Sequence, residues 1–457
     1  MNFLELLQSN QIEKAYNLLS AKEGVSDSAK EFNNDRKVRD TQVGNREDKI
    51  MKDGTINRVS KIPIPFQRQI VKTASTFLLG SPVKLVDKES NNEINESFET
   101  ISDLWHDLRL DSLLLDFCKT VKSETEATIV FFPVKKEDDS EPRIKARLLK
   151  NKNGKVYPIF DAFGDMTAFA WEYVVKEDNK DVFYLYIWTD SDQYIYKKQS
   201  KDWLPEEGYP KANLFKKIPV VYLSQENPEW WEVQGLIDTF ENSFSKFVDT
   251  NGYFSSPMYK AKGAVSSIPK KDSSGKMVKL DIIETDRGNI IEADLDVISW
   301  DRAPEALKLE FETGKGLIYG LSDTPDLSFD NVKGIGNISG IALKLMFLGP
   351  ILKAKESEGD YQVVISRIIN LLKAGLSKIT KPKLEGSLKE LRIDVKFTSI
   401  LPENLKETIE ILSQATGGKP ILSQETASAH NPMVENSKEE IELMRNEQEP
   451  KKEVQKV

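Results

Sequence analysis

The chain has 457 residues, of which 39% are hydrophobic and 30% charged, a composition typical of a globular protein with roughly two to four domains. Its single cysteine, Cys118, excludes an intramolecular disulfide and a cysteine-based zinc site. The formal net charge of −9 argues against tight DNA binding, because affinity for phosphates comes from exposed Lys and Arg.

Residues 1–57 are charged and predict an N-terminal arm with a short helix at its start, where Phe3, Leu4, Leu6 and Leu7 cluster. The stretch 33–50 is almost wholly polar, which is typical of an extended segment. The first residues lack the basic and apolar blocks of a signal peptide. No apolar run approaches the roughly 18 to 20 residues that span a bilayer. We therefore expect no membrane segment.

Two helices are predicted next. Apolar residues recur at helical spacing from Ile64 to Leu79, and Gly80-Ser81-Pro82 ends the run. A second helical stretch extends from Glu96 to Leu115. Residues 127–223 are rich in β-branched and aromatic residues separated by polar turns, which predicts strands, and Asn153-Gly154 is typical of a hairpin turn.

The second half returns to helix. The spacing predicts a helix over 236–256, strands and turns over 258–300, and a helix from Pro304 to Leu321. Two helices separated by a small β insertion can pair antiparallel. A polar loop follows, and Ser339 opens a long helix to Leu376 in which Gly349-Pro350 predicts a kink. A strand at 391–397, a helix to Gln414 and a helix-capable tail from Glu435 complete the chain.

The sequence offers no recognisable active site. His106 and His430 are isolated, and no nucleophile, metal-binding or Walker motif occurs. The glycines of Gly334-Ile335-Gly336-Asn337-Ile338-Ser339-Gly340 have neither the spacing nor the preceding strand of a dinucleotide site. We therefore predict a protein that is not an enzyme, with no catalytic residues, no metal and no cofactor.

Several local patterns, in this order along the chain, resemble the SPP1-type portal proteins of tailed bacteriophages. The matching stretches are Asn57-Arg58-Val59, Ile64-Pro65-Phe66, Gly80-Ser81-Pro82, Ile218-Pro219-Val220, Leu236-Ile237-Asp238-Thr239-Phe240, Leu321-Ser322-Asp323-Thr324-Pro325-Asp326, Phe329-Asp330-Asn331, Gly336-Asn337-Ile338-Ser339-Gly340-Ile341-Ala342-Leu343-Lys344, Leu401-Pro402-Glu403-Asn404 and Leu422-Ser423-Gln424-Glu425-Thr426. The block of a proline-aspartate turn, a loop and a Ser-Gly-x-Ala-Leu-Lys helix start is the most specific of them.

The resemblance implies an α+β portal fold, with an α/β wing, a helical stem, a small β-containing clip and a short helical C-terminal crown. The domains it implies follow the N-terminal arm in chain order. They are the wing at 58–235 with 339–400, the stem helices at 236–256 and 303–321, the clip at 257–302, the tunnel loop at 322–338, the long kinked helix and wing strand at 339–400, and the crown and tail at 401–457.

Two sets of site residues follow from this map. Acidic stem residues would line a channel and repel DNA phosphates, although salt bridges between subunits are an equally good interpretation. These candidates are Asp238, Glu241, Asp249, Glu305, Glu310 and Glu312. The tunnel loop would face the DNA. Its candidates are Asn331, Val332, Lys333, Gly334, Ile335, Gly336 and Asn337.

The family also implies the partners. These are a ring of usually about twelve identical subunits, double-stranded DNA passing through it, the terminase large subunit, a head-tail connector or adaptor, and the major capsid and scaffolding proteins. No membrane is involved. The chain would belong to the capsid portal vertex of the virion, and to the host cytoplasm during assembly. The alternatives are another head-tail connector or ring-forming assembly protein, a packaging enzyme, and an intracellular scaffold unrelated to phage.

Overall fold

The computed structural model describes residues 2–19, 32, 46–50, 52–88, 96–135, 142–254, 258–262, 264–267, 279–281, 283–284, 290–291, 294–298, 304–326, 345–398, 400, 405–417, 420–431, 433–434 and 437–448. It confirms an α+β fold. No helix in these ranges is both long and apolar enough to cross a membrane.

The helices have these bounds: α1 Phe3–Gln8, α2 Ile12–Leu19, α3 Phe66–Leu79, α4 Glu96–Asp107, α5 Leu110–Glu124, α6 Gln234–Phe254, α7 Pro304–Leu321, α8 Leu348–Gly375, α9 Glu385–Glu390, α10 Leu405–Thr416, α11 Gln424–Ala429 and α12 Ser437–Gln448.

The strands have these bounds: β1 Lys49–Ile50, β2 Ile56–Asn57, β3 Lys84–Asp87, β4 Glu126–Val134, β5 Arg143–Leu149, β6 Lys155–Phe160, β7 Met166–Glu177, β8 Lys180–Trp188, β9 Asp192–Gln199, β10 Asp202–Pro205, β11 Lys211–Ala212, β12 Val220–Ser224, β13 Met258–Lys262, β14 Ala264–Ser267, β15 Lys279–Asp281, β16 Ile283–Glu284, β17 Ile290–Ile291, β18 Asp294–Ile298 and β19 Ile393–Lys396.

The largest core lies between helices α3, α4, α5 and α8 and a three-stranded antiparallel sheet of order β12-β4-β5. Residues 126–131 of β4 are all buried, as in a strand covered on both faces. The C-terminal part of the chain returns to this core, because α8 packs into it and β19 pairs antiparallel with β3.

The predicted single helix over 96–115 is wrong in one respect. Arg109 has φ +51°, a left-handed conformation that ends α4 and lets α5 start in a new direction. The change of direction lets Trp105 of α4 and Leu114 of α5 both enter the core.

A second, six-stranded sheet has the antiparallel order β10-β9-β8-β7-β6, with β11 added beside β9. Helices α1 and α2 bury Phe3, Leu6, Ile12 and Leu19 against one of its faces. Residues 2–19 of the predicted arm are therefore packed on this sheet. The sequence interpretation missed α2.

The Asn153-Gly154 hairpin prediction is wrong. The two residues join β5 of one sheet to β6 of the other. Gly154 has φ +121°, and a Cβ there would lie 2.1 Å from the carbonyl oxygen of Glu172, so only glycine fits this crossing.

The predicted kink near Pro350 appears as a break in the helix. Residues 345–346 are helical, Phe347 forms a turn with φ −101° and ψ 17°, and α8 begins at Leu348. Pro350 then stands in the first turn of α8, where a missing N–H removes no helical hydrogen bond. The earlier part of the predicted helix, 339–344, lies outside the described residues.

Candidate functional site

Helices α6 and α7 form an antiparallel hairpin, as the sequence predicts. Phe311 of α7 contacts Phe240, Phe244 and Phe247 of α6, with ring centroids 5.5, 5.6 and 5.7 Å apart and edge-to-face geometry. Strands β13 and β18, which follow α6 and precede α7, pair antiparallel and hold the far ends together. The hairpin thus has a continuous aromatic seam.

The base of the hairpin is fixed to α3. Phe66 packs edge-on against Phe240 at 5.5 Å and Tyr319 at 5.8 Å. The hydroxyl of Tyr319 donates to Gln69 Oε1 at 3.0 Å. Ile237 and Ile318 are completely buried beside them. One end of the hairpin is therefore part of the protein core.

A strap, residues 60–65, lies along α6 in the opposite direction. The backbone N–H groups of Ser60, Ile62 and Ile64 donate to Asp249 Oδ1 at 2.7 Å, Ser245 Oγ at 3.1 Å and Glu241 Oε1 at 2.9 Å. Two residues of extended chain span about 6.6 Å and four residues of helix about 6.0 Å, so each alternate strap residue meets every fourth residue of α6.

The strap sequence suits this contact. Its bonded N–H groups alternate with positions 61, 63 and 65, and Pro63 and Pro65 have no N–H to satisfy. Arg46 forms an ion pair with Asp249 and donates to the carbonyl of Ser60. Burial alone would raise the pKa of Asp249, but the bonds from Ser60 and Arg46 outweigh it and hold that pKa below its usual value.

The six acidic stem candidates fall into two groups: the three on α6 are bonded within the subunit, and the three on α7 are exposed. Glu241 is fully buried in the subunit, so it cannot line a channel, and we withdraw it from that set. Asp249 is half-buried beneath Arg46, and Asp238 accepts a bond from Gln234 at 2.9 Å. Glu305, Glu310 and Glu312 are exposed on α7, and Glu312 pairs with Lys308 at 3.6 Å.

A buried ionic cluster, Lys122, Glu229 and Lys353, lies at the base of the hairpin. Glu229 is 2.9 Å from the ammonium of Lys122 and 2.8 Å from that of Lys353. Burial would raise the pKa of Glu229, but these two cations lower it. The sequence analysis missed this cluster because its members are 107 and 124 residues apart and no local pattern marks them.

The cluster joins both ends of the segment between α7 and α8. Lys353 also donates to the carbonyl of Ser322 at 3.0 Å, directly after α7. Gly349 packs closely on Asp323, and a Cβ there would lie 2.9 Å from Asp323 Oδ1. Asp326 pairs with Lys315 of α7 at 2.7 Å. The predicted tunnel-loop residues 331–337 lie outside the described residues.

Candidates for chemistry are sparse. In the part of the chain that the structure describes, no three His, Cys, Asp or Glu side chains are grouped as a metal site would need. Cys118 is buried, and burial raises the pKa of its thiol, which disfavours the nucleophilic thiolate. Trp230 is buried in the core, whereas Trp231 is exposed.

Known proteins resemble this chain. A family model described as phage portal protein, SPP1 Gp6-like, matches residues 6–454. Among solved structures, a chain in the neck of a native GTA particle computed with C12 symmetry is 11% identical with a TM-score of 0.41, and the match covers 81% of this chain and 90% of that one. A chain in the virion of a native gene transfer agent particle is 10% identical with a TM-score of 0.35, covering 80% and 87%. No curated protein matches the sequence.

Proposed function

The chain belongs to the SPP1 Gp6-like family of phage portal proteins, and we propose that its copies close into a ring of about twelve subunits around a DNA channel at the capsid vertex. The ring would serve DNA packaging, retention and ejection. The protein would act in the virion and, during assembly, in the host cytoplasm. Family membership is the observation that carries this function.

The exposed side of α7 supports the ring. Leu309 is 66% and Leu317 45% exposed. Leu309 lies opposite Phe311 and Ile318, which pack towards α6, and Leu317 lies on the flank of the same exposed side. Exposed apolar side chains on a rigid helix are typical of a protein-protein contact. A second copy of the chain is the partner that a closed ring supplies.

We propose that α6 and α7 form the stem, 257–302 the clip, 322–338 the tunnel loop and 401–457 the crown. The wing would comprise 58–235 with 339–400, and α1 and α2 pack on its six-stranded sheet. The strap and the buried ionic cluster then tie the stem to the wing, so that force on the stem is transmitted to the rigid core.

Glu305, Glu310 and Glu312 remain proposed channel-lining residues because they are exposed on α7. Asp238 and Asp249 of α6 are weaker candidates because their carboxylates are bonded within the subunit. A ring of about twelve chains would carry a formal charge of about −108, or 12 × −9. Carboxylates facing the channel would repel phosphates, so DNA would slide without binding tightly.

The tunnel loop would supply the narrowest DNA contact, with Lys333 touching phosphates weakly. Lys333→Glu, or Gly334 and Gly336 both changed to proline, should leave rings intact and reduce packaged DNA. Packaging and infectivity equal to wild type for both variants would make residues 322–338 only a linker.

The partners proposed from the family are the terminase large subunit, a head-tail adaptor, and the capsid and scaffolding proteins. We propose that the chain has no catalytic activity of its own, so ATP hydrolysis would require the terminase. Native mass spectrometry and negative-stain microscopy of the purified chain test the ring. A sole species near 51.9 kDa at all concentrations and salts would contradict it.

A further inference from the structure

We propose that an aromatic groove between the two sheets of the N-terminal half binds a segment of a partner protein in which an acidic residue stands beside an aromatic, leucine or proline residue. The groove has a volume of about 410 Å³. This proposal does not depend on the ring. It concerns a surface remote in sequence from the stem helices.

The floor of the groove is aromatic. Tyr186 and Trp188 of β8 stack with ring centroids 3.9 Å apart, and Trp171 of β7 lies beside Tyr186 because the two residues are paired across the strands. Phe132 of β4 forms part of the opposite wall, and Leu214, which is 50% exposed, lies at the rim. Such a surface offers flat apolar faces to a ligand.

The charge at the groove has one sign. Among the described residues that line it, the charged side chains are Arg147 and Lys211, and no carboxylate is among them. The guanidinium of Arg147 lies 5.6 Å from the centre of the Trp171 ring, and the ammonium of Lys211 lies 4.5 Å from that of Tyr209. A carboxylate held next to these two cations would gain favourable electrostatic interactions, whereas a basic ligand would be repelled.

Internal hydrogen bonds hold the walls of the groove. Asn213, 3% exposed, donates to the carbonyls of Thr189 at 2.7 Å and Lys217 at 2.8 Å, and this fixes the wall that carries Leu214. Tyr186 donates to Gln193 Oε1 at 2.6 Å. Because internal hydrogen bonds already hold these walls, binding of a ligand costs them little conformational entropy.

A peptide suits the groove better than a nucleic acid. Tight binding to nucleic acid needs several phosphate contacts, and two cations on a chain of net charge −9 provide too few. A peptide with one carboxylate next to one apolar side chain matches the two cations and the aromatic floor that the groove offers.

The experiment screens the purified full-length chain against an array of random dodecapeptides at about 150 mM salt. Selected peptides are then labelled, and their affinities are measured by fluorescence anisotropy. We expect the selected sequences to share an Asp or Glu beside an aromatic, leucine or proline residue.

Two variants and a control locate the binding site. The double variant Arg147→Glu, Lys211→Glu and the rim variant Leu214→Asp should each weaken binding by about tenfold or more. Lys180→Glu reverses a charge on the same sheet, roughly 20 Å from Tyr186 at about 3.3 Å per residue, and should leave binding within about twofold. Circular dichroism confirms that each variant is folded.

Any of the following results would overturn the proposal. They are the absence of selected peptides, selection of basic peptides, equal affinity for the variants and wild type, and loss of rings in a folded groove variant, which would make the groove a contact between copies. Binding of an oligothymidylate that both variants abolish would assign the groove to nucleic acid instead.

Discussion

Lys353 Nζ lies 2.8 Å from Glu229 Oε1 and 3.0 Å from the carbonyl oxygen of Ser322. One ammonium therefore connects the segment before α6, the residue after α7 and the second turn of α8. Glu229 and Lys122 are both less than 9% exposed, so removing a partner leaves a charge in a poorly solvated place.

We expect Lys353→Met to lower the free energy of unfolding by about 2 kcal/mol, and Glu229→Gln, which leaves two cations unpaired, by about 3 kcal/mol. Lys355→Met is the matched control, because Lys355 is 62% exposed and its ion pair with Glu358 stabilises little. Urea unfolding measures all three. Equal midpoints for Lys353→Met and Lys355→Met would show that the cluster contributes nothing.

The same cluster predicts how stability depends on pH. The pKa of Glu229 is lowered in the folded protein, so its contribution is complete above the unfolded value near 4.5 and is lost as pH falls through the lower folded value. The pKa of Asp249 is likewise held below its usual value of 3.8, so its contribution to stability is also lost as the pH falls. Thermal unfolding midpoints should fall between about pH 5 and pH 3.

The decline should be shallower in Glu229→Gln and in Asp249→Asn than in wild type. Glu356→Gln, at an exposed position of α8, provides the control and should follow the wild-type curve. Parallel curves for all four proteins would mean that other groups govern acid unfolding.

The strap predicts a non-additive pair of substitutions. Ile62→Pro removes the backbone N–H that donates a hydrogen bond to Ser245 Oγ but keeps the extended backbone. Ser245→Ala removes the hydroxyl that accepts this bond. Each should destabilise the protein by about 1 kcal/mol, and the double variant by little more than either alone. Thr239→Ala, on the exposed side of α6, should combine additively with Ile62→Pro. Additive effects of Ile62→Pro and Ser245→Ala would contradict the bond.

The helices could be predicted where apolar spacing persisted over several turns, as in α3, α6 and α7. Helix α2 was missed although Ile12, Ala15 and Leu19 have helical spacing, because eight residues give a weak periodic signal. The strap could have been recognised in the sequence from the alternation of Pro63 and Pro65. Its acceptors could have been recognised too, since Glu241, Ser245 and Asp249 recur at every fourth residue and therefore lie on one side of α6.

The ionic cluster and the groove could not be predicted, because tertiary folding alone brings their members together. Lys122, Glu229 and Lys353 come from three distant segments, and each looks like an ordinary surface charge in its own neighbourhood. Likewise Arg147 and Trp171 lie in different sheets, and their contact depends on the crossing at Gly154.

Substitution by alanine should have opposite effects on stability at two glycines in helices. A Cβ at Gly314 would lie 3.0 Å from Phe240 Cδ2, and the ring cannot withdraw because Phe66 and Phe311 pack against it. Gly359, exposed in the middle of α8, has nothing within 4 Å. We expect Gly359→Ala to stabilise by about 0.5–1 kcal/mol and Gly314→Ala to destabilise by about 1 kcal/mol. A gain for both would mean that the seam between α6 and α7 is loosely packed.

The exposed leucines of α7 provide the most direct test of assembly. Leu309→Asp combined with Leu317→Asp places two charges on the face proposed to contact a second copy, and burying unpaired carboxylates there is unfavourable. Because both positions are exposed in the subunit, the variant should fold normally yet appear near 51.9 kDa by native mass spectrometry. Phe163→Asp is the matched control, since Phe163 is 94% exposed in the turn between β6 and β7, far from the stem in sequence. It should assemble like wild type. Rings that persist in the double variant would show that this side of α7 faces the channel or solvent and that another surface joins the subunits.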